Sequence, residues 1–240
     1  GLHCKDEFLN LESSANYNAY ERGGYYLYNT ENSLTFIRCG SHKDRPAQAD
    51  NLHFDLWYNG KNILHDGGSY KYNSGAKDLK YFMGTQSHNT VMLGIHDQME
   101  KGARFIWYHW TQCKNVESIE TDEFYIFEGT ISAFQHINKE IQHKRTVKIF
   151  KKIPRWEIND HIFNKPLDLE LNQFWHSCDA QMLEFNVTSI KGDVSPFITE
   201  GYYSSFYGIK EPCTEFLFST KENMIKTIIT AEPDSLLTYI

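Results

Sequence analysis

The side chains best suited to chemistry crowd into one stretch, between His42 and Gln98. The loop SHKDRPAQAD carries His42, Asp44, Arg45 and Asp50, Asp66 stands directly before Gly67-Gly68, and His88-Asn89 lie in GTQSHNTVML. A carboxylate and an imidazole can share a divalent cation, or the carboxylate can orient the imidazole as a base. Asp66 reads in two ways, as a strand-end carboxylate that satisfies loop amides or as a group that ligates a metal or orients a base. His88 is a packed ring or a ligand. Asn89 caps a turn or reads a substrate hydroxyl. His65, Asp66 and His88 form only a weak zinc-like cluster, because their separation in sequence is wide.

Later segments offer sparser chemistry. Arg104 and the aromatics of ARFIWYHW suit a sugar cleft in which Arg104 pairs with a carboxylate or sulfate. Alternation puts Phe105, Trp107 and His109 on one face and Ile106, Tyr108 and Trp110 on the other, so at least half of this stripe is packing. The knot His143-Lys144-Arg145 reads as a solvated strand end, with substrate contact as the alternative. Trp156 and Trp175 read as filler between sheets rather than sugar platforms, and Tyr202, Tyr203 and Tyr207 as a loop feature.

The elements that must position these groups are strands. LHFDLWYNG alternates Leu52, Phe54, Leu56 with His53, Asp55, Trp57, the period of a half-buried strand. Asn59-Gly60 supplies two residues tolerant of positive φ, which predicts a tight hairpin with KNILHDGGSY returning as its partner. Further short runs follow, from HNTVMLG to NMIKTIIT, and none holds a 3.6-residue period over three turns. This pattern predicts an all-β protein, a large antiparallel β-sandwich of super-sandwich type with little helix. Residues 1–20 read as an irregular lead-in, with one weak helical turn, or as the remnant of a preceding domain. Residues 21–240 read as the sandwich.

Composition sets limits. The 240 residues carry 24 Lys+Arg against 31 Asp+Glu, a formal charge of −7, which argues against binding a nucleic-acid backbone. No run approaches the roughly 18–20 apolar residues that cross a bilayer as a helix. Aromatics are 15% of the chain and Pro only six residues, as strands favour. The five cysteines lack metal-type spacing and read mostly as small buried hydrophobes. There is no P-loop, dinucleotide fingerprint or serine nucleophile elbow.

Beyond these patterns, RPAQADNLHFDLWYNGKNILHDGGSY (Arg45–Tyr70), YFMGTQSHNTV (Tyr81–Val91) and DQM (Asp97–Met99) together resemble the heparinase II/III-like family. HKRTV, RWEIND, FWH and GYYSSFYG continue the resemblance, which runs over about residues 23–210. It implies a polysaccharide lyase whose N-terminal α/α toroid precedes an antiparallel sandwich, of which this sequence resembles the second part. The implied reaction is β-elimination at a uronic acid, in which the C5 carboxylate is neutralised, the C5 proton removed and the leaving oxygen protonated.

Residue by residue, Asp66 falls on the metal-ligating aspartate of the D-x-G motif and His88 on the histidine of H-N-T-V. Asp50 matches the aspartate of an H-A-D segment. Gln48 stands where a histidine ligand is expected, and Pro46 where a catalytic-type histidine is expected. The resemblance thus implies one zinc or calcium ion on Gln48, Asp66 and His88, held more weakly than by a full histidine set, with Asp50, Asn89 and Arg104 near substrate. No catalytic base is identified.

The expected partners are an acidic polysaccharide or oligosaccharide and a helical toroid, with a homodimer as a further expectation. A periplasmic or secreted setting is expected. The leading expectation is a lyase module inactive without its toroid. A carbohydrate-binding or scaffold module that has lost the catalytic histidine is the alternative, and a metal-dependent enzyme of surface-polysaccharide synthesis the third.

Overall fold

The computed structural model describes residues 16–232. Five strands form an antiparallel meander: β1 (Tyr17–Tyr20), β2 (Tyr25–Asn29), β3 (Ser33–Arg38), β4 (Phe54–Tyr58) and β5 (Lys61–Leu64). The lead-in expected over residues 1–20, and Cys4 within it, lie outside the described residues as far as residue 15, while Tyr17–Tyr20 already pairs with β2. A short helix, α1 (Ala76–Met83), and a 3-10 turn (Thr85–Ser87) lead to β6 (Val91–Leu93). The small hairpin of β7 (Glu100–Lys101) and β8 (Trp107–Tyr108) follows.

The long strands come next: β9 (Gln112–Glu120), β10 (Phe124–Ser132), β11 (Gln142–Phe150), β12 (Arg155–Phe163) and β13 (Leu171–Ser177). Then come β14 (Leu183–Ser189), β15 (Gly192–Asp193), β16 (Phe197–Tyr203), β17 (Glu211–Thr220) and β18 (Met224–Ala231). A seven-stranded sheet runs in the order β15-β14-β18-β12-β11-β10-β9, and a four-stranded sheet in the order β16-β17-β13-β6. All strand pairings are antiparallel, as expected for this all-β sandwich.

The seven-stranded sheet is one layer, and the five- and four-stranded sheets lie against it. Trp156 on β12 donates its indole N–H to Thr35 on β3 at 3.0 Å. On the other side, Phe185 on β14 packs on Phe216 and Phe218 of β17, with ring centroids 4.9 and 5.7 Å apart. The two smaller sheets meet where Phe54 of β4 stands edge-on to Trp175 of β13 at 5.7 Å. Trp156 and Trp175 are fully buried, so both do fill the space between layers. Alternation of buried and half-exposed residues along β11 and most of β10 and β12 is the pattern that drives this layering. At the β4–β5 turn Asn59 and Gly60 both have positive φ (49° and 78°), as the tight hairpin requires.

The knot His143-Lys144-Arg145 is not a solvated end. In β11 the alternation turns His143 and Arg145 inward, both fully buried, and leaves Lys144 outside with Glu128. Arg145 grips Asp160 of β12 through Nε (2.7 Å) and Nη2 (2.8 Å), while His143 Nε2 lies 2.7 Å from Oδ1 of the same carboxylate. Gln173 of β13 donates to Asp160 Oδ2 at 2.7 Å, so the network ties the two layers together. Burial alone would raise the Asp160 carboxyl, but Arg145 and then His143 outweigh it and hold it well below the usual carboxylate range. Burial also lowers His143, against the opposing pull of Asp160.

Both groups therefore bind fewer protons folded than unfolded, so stability should fall with acidification. The loss sets in below about pH 6.5 through His143 and deepens below about pH 4 through Asp160, the unfolded-state values of these side chains. Replacing Asp160→Ala strands a buried guanidinium and should cost about 3–5 kcal/mol. Urea unfolding of the two proteins at pH 7 and pH 5 measures both effects; an Asp160→Ala midpoint equal to wild type would contradict the network's role.

Candidate metal centre

Three chain segments converge at the rim between the two smaller sheets. The first enters β4 through Leu52 and His53, the second leaves β5 at Asp66, and the third is His88 after the 3-10 turn. Leu52 is held at φ 58°, a costly region for a branched side chain, and three contacts fix it there. Its N–H donates to Arg38 O (2.7 Å), its carbonyl accepts Arg145 Nη1 (2.6 Å), and its side chain is fully buried.

Two glycines explain how the second and third segments touch. Gly67 donates its N–H to Ser87 O at 2.9 Å, and a Cβ there would lie 2.8 Å from Ser87 Cβ and O. Gly68 has φ 79°, and a Cβ on it would meet Ser204 O at 2.3 Å. Only glycine admits this approach. The Gly68 N–H in turn donates to Asp66 Oδ1 at 2.6 Å, so the carboxylate does satisfy a loop amide with one oxygen.

The other oxygen faces the histidines. Asp66 Oδ2 lies 2.8 Å from His88 Nδ1 and 3.8 Å from His53 Nε2. His53, Asp66 and His88 each place one ligand-type atom within 4.8 Å of the others. Burial would raise the Asp66 carboxyl, but His88, then His53 and the Gly68 amide, hold it well below its ordinary range. The carboxylate is thus anionic at any physiological pH. His53 Nε2 and His88 Nε2 are buried without a hydrogen-bond partner among the described residues. A His/Asp cluster of this kind can hold a metal ion.

The two histidines are not equivalent. His88 Nδ1 faces Asp66 Oδ2 at 2.8 Å, so without an ion it donates its proton to the carboxylate, and an ion held by both groups would take that proton's place. In His53 the Asn89 N–H donates to Nδ1 at 3.0 Å, which places the proton of the neutral ring on Nε2, toward Asp66. Ligation through that nitrogen would cost the proton or the Asn89 bond.

The remaining sequence expectations fall as follows. The second imidazole of the cluster is His53 rather than His65, whose ring packs on Tyr203 at 4.3 Å with Nε2 3.2 Å from Cys178 Sγ. Burial, then His176, lowers His65 to about 4, so it is neutral. Gln48 is one link away: its amide nitrogen donates to Gly68 O and Phe82 O, both at 2.9 Å, which leaves its carbonyl oxygen as the acceptor end.

Asn89 is fully buried, with Nδ2 donating to Phe54 O (2.9 Å) and Oδ1 accepting His176 N–H (2.7 Å), so it braces the segments rather than facing a sugar. Asp50 is buried in an ion pair with Arg38. Arg104 is exposed on the β7–β8 turn and is not among the clustered residues. A buried group that the sequence did not announce is Glu215 on β17, 3.1 Å from His176 Nε2 and accepting from Gln86 and Tyr81 at 3.2 and 3.4 Å. The cysteines are unbridged among the described residues: Cys39 and Cys213 are buried, Cys113 is half-buried and Cys178 is exposed.

Comparison with known proteins defines the family. Residues 12–187 match the family model described as heparinase II/III-like, C-terminal, and the chain belongs to this family. A heparin-sulfate lyase of Bacteroides stercoris is 28% identical over 110 residues, an alignment covering 42% of this chain and 16% of that protein. A heparinase III structure superposes with a TM-score of 0.74 at 17% identity, over 93% of this chain and 37% of that one. Heparan sulfate lyase HepC from Pedobacter heparinus gives 0.74 at 15% identity, over 92% and 37%. The chain therefore spans little more than a third of the solved structures that it matches.

Elemental analysis of the purified chain after exposure to zinc should find about one equivalent, lost in Asp66→Ala and His88→Ala. His53→Ala should retain the ion with affinity reduced by only about 10–100-fold, the scale of an outer partner. Affinity should rise with pH, because the ligand nitrogen must be free of its proton. Equal and complete loss in all three variants would make His53 a direct ligand.

Proposed function

We propose that this chain is the sandwich part of a polysaccharide lyase acting by β-elimination on a uronate-containing acidic polysaccharide. The observation that carries the reading is the Asp66/His88/His53 cluster, two of whose imidazole nitrogens are buried without partners, in a member of the heparinase II/III-like family. The relatives named heparin-sulfate and heparan sulfate lyases support an acidic substrate. Asp66 and His88, with the carbonyl oxygen of Gln48, would hold the ion. When bound, it supplies positive charge against the uronate carboxylate, the group that must be neutralised before the C5 proton becomes acidic.

His53 adds to that task without ligating. Its Nε2–H, fixed by the Asn89 amide, is a buried donor suited to a carboxylate oxygen. Proton removal and leaving-group protonation fall to residues of the helical toroid that precedes such sandwiches. A periplasmic or extracellular setting, where such polymers are met, goes with this reading.

A second reading has its own observation: Pro46 and Gln48 stand at two positions where the family pattern places histidine, and Gln48 braces Gly68 and Phe82. In that case the sandwich binds carbohydrate without turning it over. The deciding assay uses the chain joined to its upstream region on a panel of acidic polysaccharides. Release of an unsaturated uronate absorbing in the near ultraviolet is expected, reduced at least about tenfold in His88→Ala. Sugar binding that is independent of metal, with no such product from any polymer, would establish the second reading instead.

A further inference from the structure

Beside the metal cluster lies a cavity of about 370 Å3, within the size range of small-molecule sites. Its walls come from the Arg45–Gln48 loop, the Ser69–Tyr72 segment, α1, Phe105 and Tyr207. We infer that this cavity is a subsite for one anionic sugar unit, with Arg45 and Lys71 meeting its carboxylate or sulfate and the rings of Tyr72 and Phe105 meeting its apolar face. The inference rests on the acidic-polysaccharide reading above and assigns residues to it.

Three features support the assignment. The first is charge. In a protein of formal charge −7, the cavity wall carries Arg45 and Lys71 and no carboxylate. Neither cation has a carboxylate partner among the described residues. Two cations lining one concave site with no carboxylate among the lining residues make a local reversal of sign. Such a site attracts anions against the overall field.

The second feature is the aromatic wall. Tyr72 and Phe105 lie nearly parallel, centroids 4.5 Å apart and tilted by 30°, and the Arg45 guanidinium sits 5.5 Å from the Phe105 centroid. That contact holds the guanidinium at the cavity edge at little entropic cost. Tyr207 closes the rim, its hydroxyl accepting the Tyr72 N–H at 3.3 Å. Yet Tyr72 is 59% and Tyr207 75% exposed. Aromatic surface left to water in a cluster marks a site that covers it with a ligand.

The third feature is continuity. Ser69 lines the cavity and stands three residues from Asp66. Gln48, also in the wall, donates to Gly68 O, and the Gly68 N–H donates to Asp66 Oδ1. A sugar here would therefore neighbour one whose carboxylate reaches the cluster, as successive units of one polymer do.

Calorimetry with three hexasaccharides of equal length tests this: an unsulfated oligouronate, a sulfated uronate-containing one and a neutral one. Wild-type chain should bind both acidic probes and the neutral one at least about tenfold more weakly. Arg45→Gln with Lys71→Gln should reduce acidic binding about 10–100-fold, Tyr72→Ala should reduce it as well, and higher salt should weaken it. These side chains are at the surface, and circular dichroism checks that the variants stay folded. A preference for the sulfated probe assigns the cations to sulfate, and equal affinity assigns them to carboxylate. Unchanged acidic binding in both variants would overturn the subsite while leaving the acidic-polysaccharide reading in place. Equal binding of neutral and acidic probes, or no binding of any, would overturn both.

Discussion

The grip of Arg145 on Asp160 is the interaction on which the rest depends. A guanidinium and a carboxylate, both fully buried in the middle of the sandwich, would be costly unless every donor and acceptor were used. Here they are used for a purpose beyond the pair. While Nε and Nη2 hold Asp160, Nη1 donates to Leu52 O and Asn89 O, both at 2.6 Å. Those two carbonyls belong to the residues next to His53 and His88. One buried cation in the seven-stranded sheet thus anchors two of the three segments that bring His53, Asp66 and His88 together.

The anchoring explains why unfavourable local geometry persists at the rim. Leu52 at φ 58° has no reason of its own to be there; its carbonyl is pulled inward by Arg145 and its N–H is taken by Arg38 O. The consequence is that His53 leaves the strand's alternation and turns toward Asp66. The remaining segment, that of Asp66, is tied differently, by the Gly67–Ser87 contact and by Asn89 reaching both Phe54 O and His65 O. Backbone groups, not side-chain packing alone, set the imidazole positions. This is how a site at the edge of layers keeps its geometry without surrounding bulk.

Legibility in the sequence followed the same division. The all-β architecture and the Asn59-Gly60 hairpin were readable because they depend on period and turn chemistry, which are local. Asp66 and His88 were readable through D-G-G-S-Y and S-H-N-T-V, whose glycines and asparagine have the fixed structural duties now seen in Gly67, Gly68 and Asn89. His53 was not readable, because in LHFDLWYNG it looks like the outward phase of a strand, and only the positive φ of Leu52 breaks that phase. Arg145 was misread for a similar reason: three consecutive basic residues resemble a solvated end until a partner carboxylate, fifteen residues later on β12, is brought opposite. The helix α1 escaped notice because its eight residues bury only Phe82 and start at Gly75 without a side-chain cap.

The tautomers divide the labour of the centre. A neutral histidine whose Nδ1 meets a carboxylate carries its proton there, and one whose Nδ1 meets an amide N–H carries it on Nε2. His88 is of the first kind and His53 of the second, and the same residue, Asn89, supplies the amide that decides the second and follows directly after the first. Two imidazoles beside one carboxylate would otherwise compete for the same role. Fixed in opposite senses, the two rings are distinct: His88 turns Nδ1 and His53 turns Nε2 toward the same carboxylate oxygen.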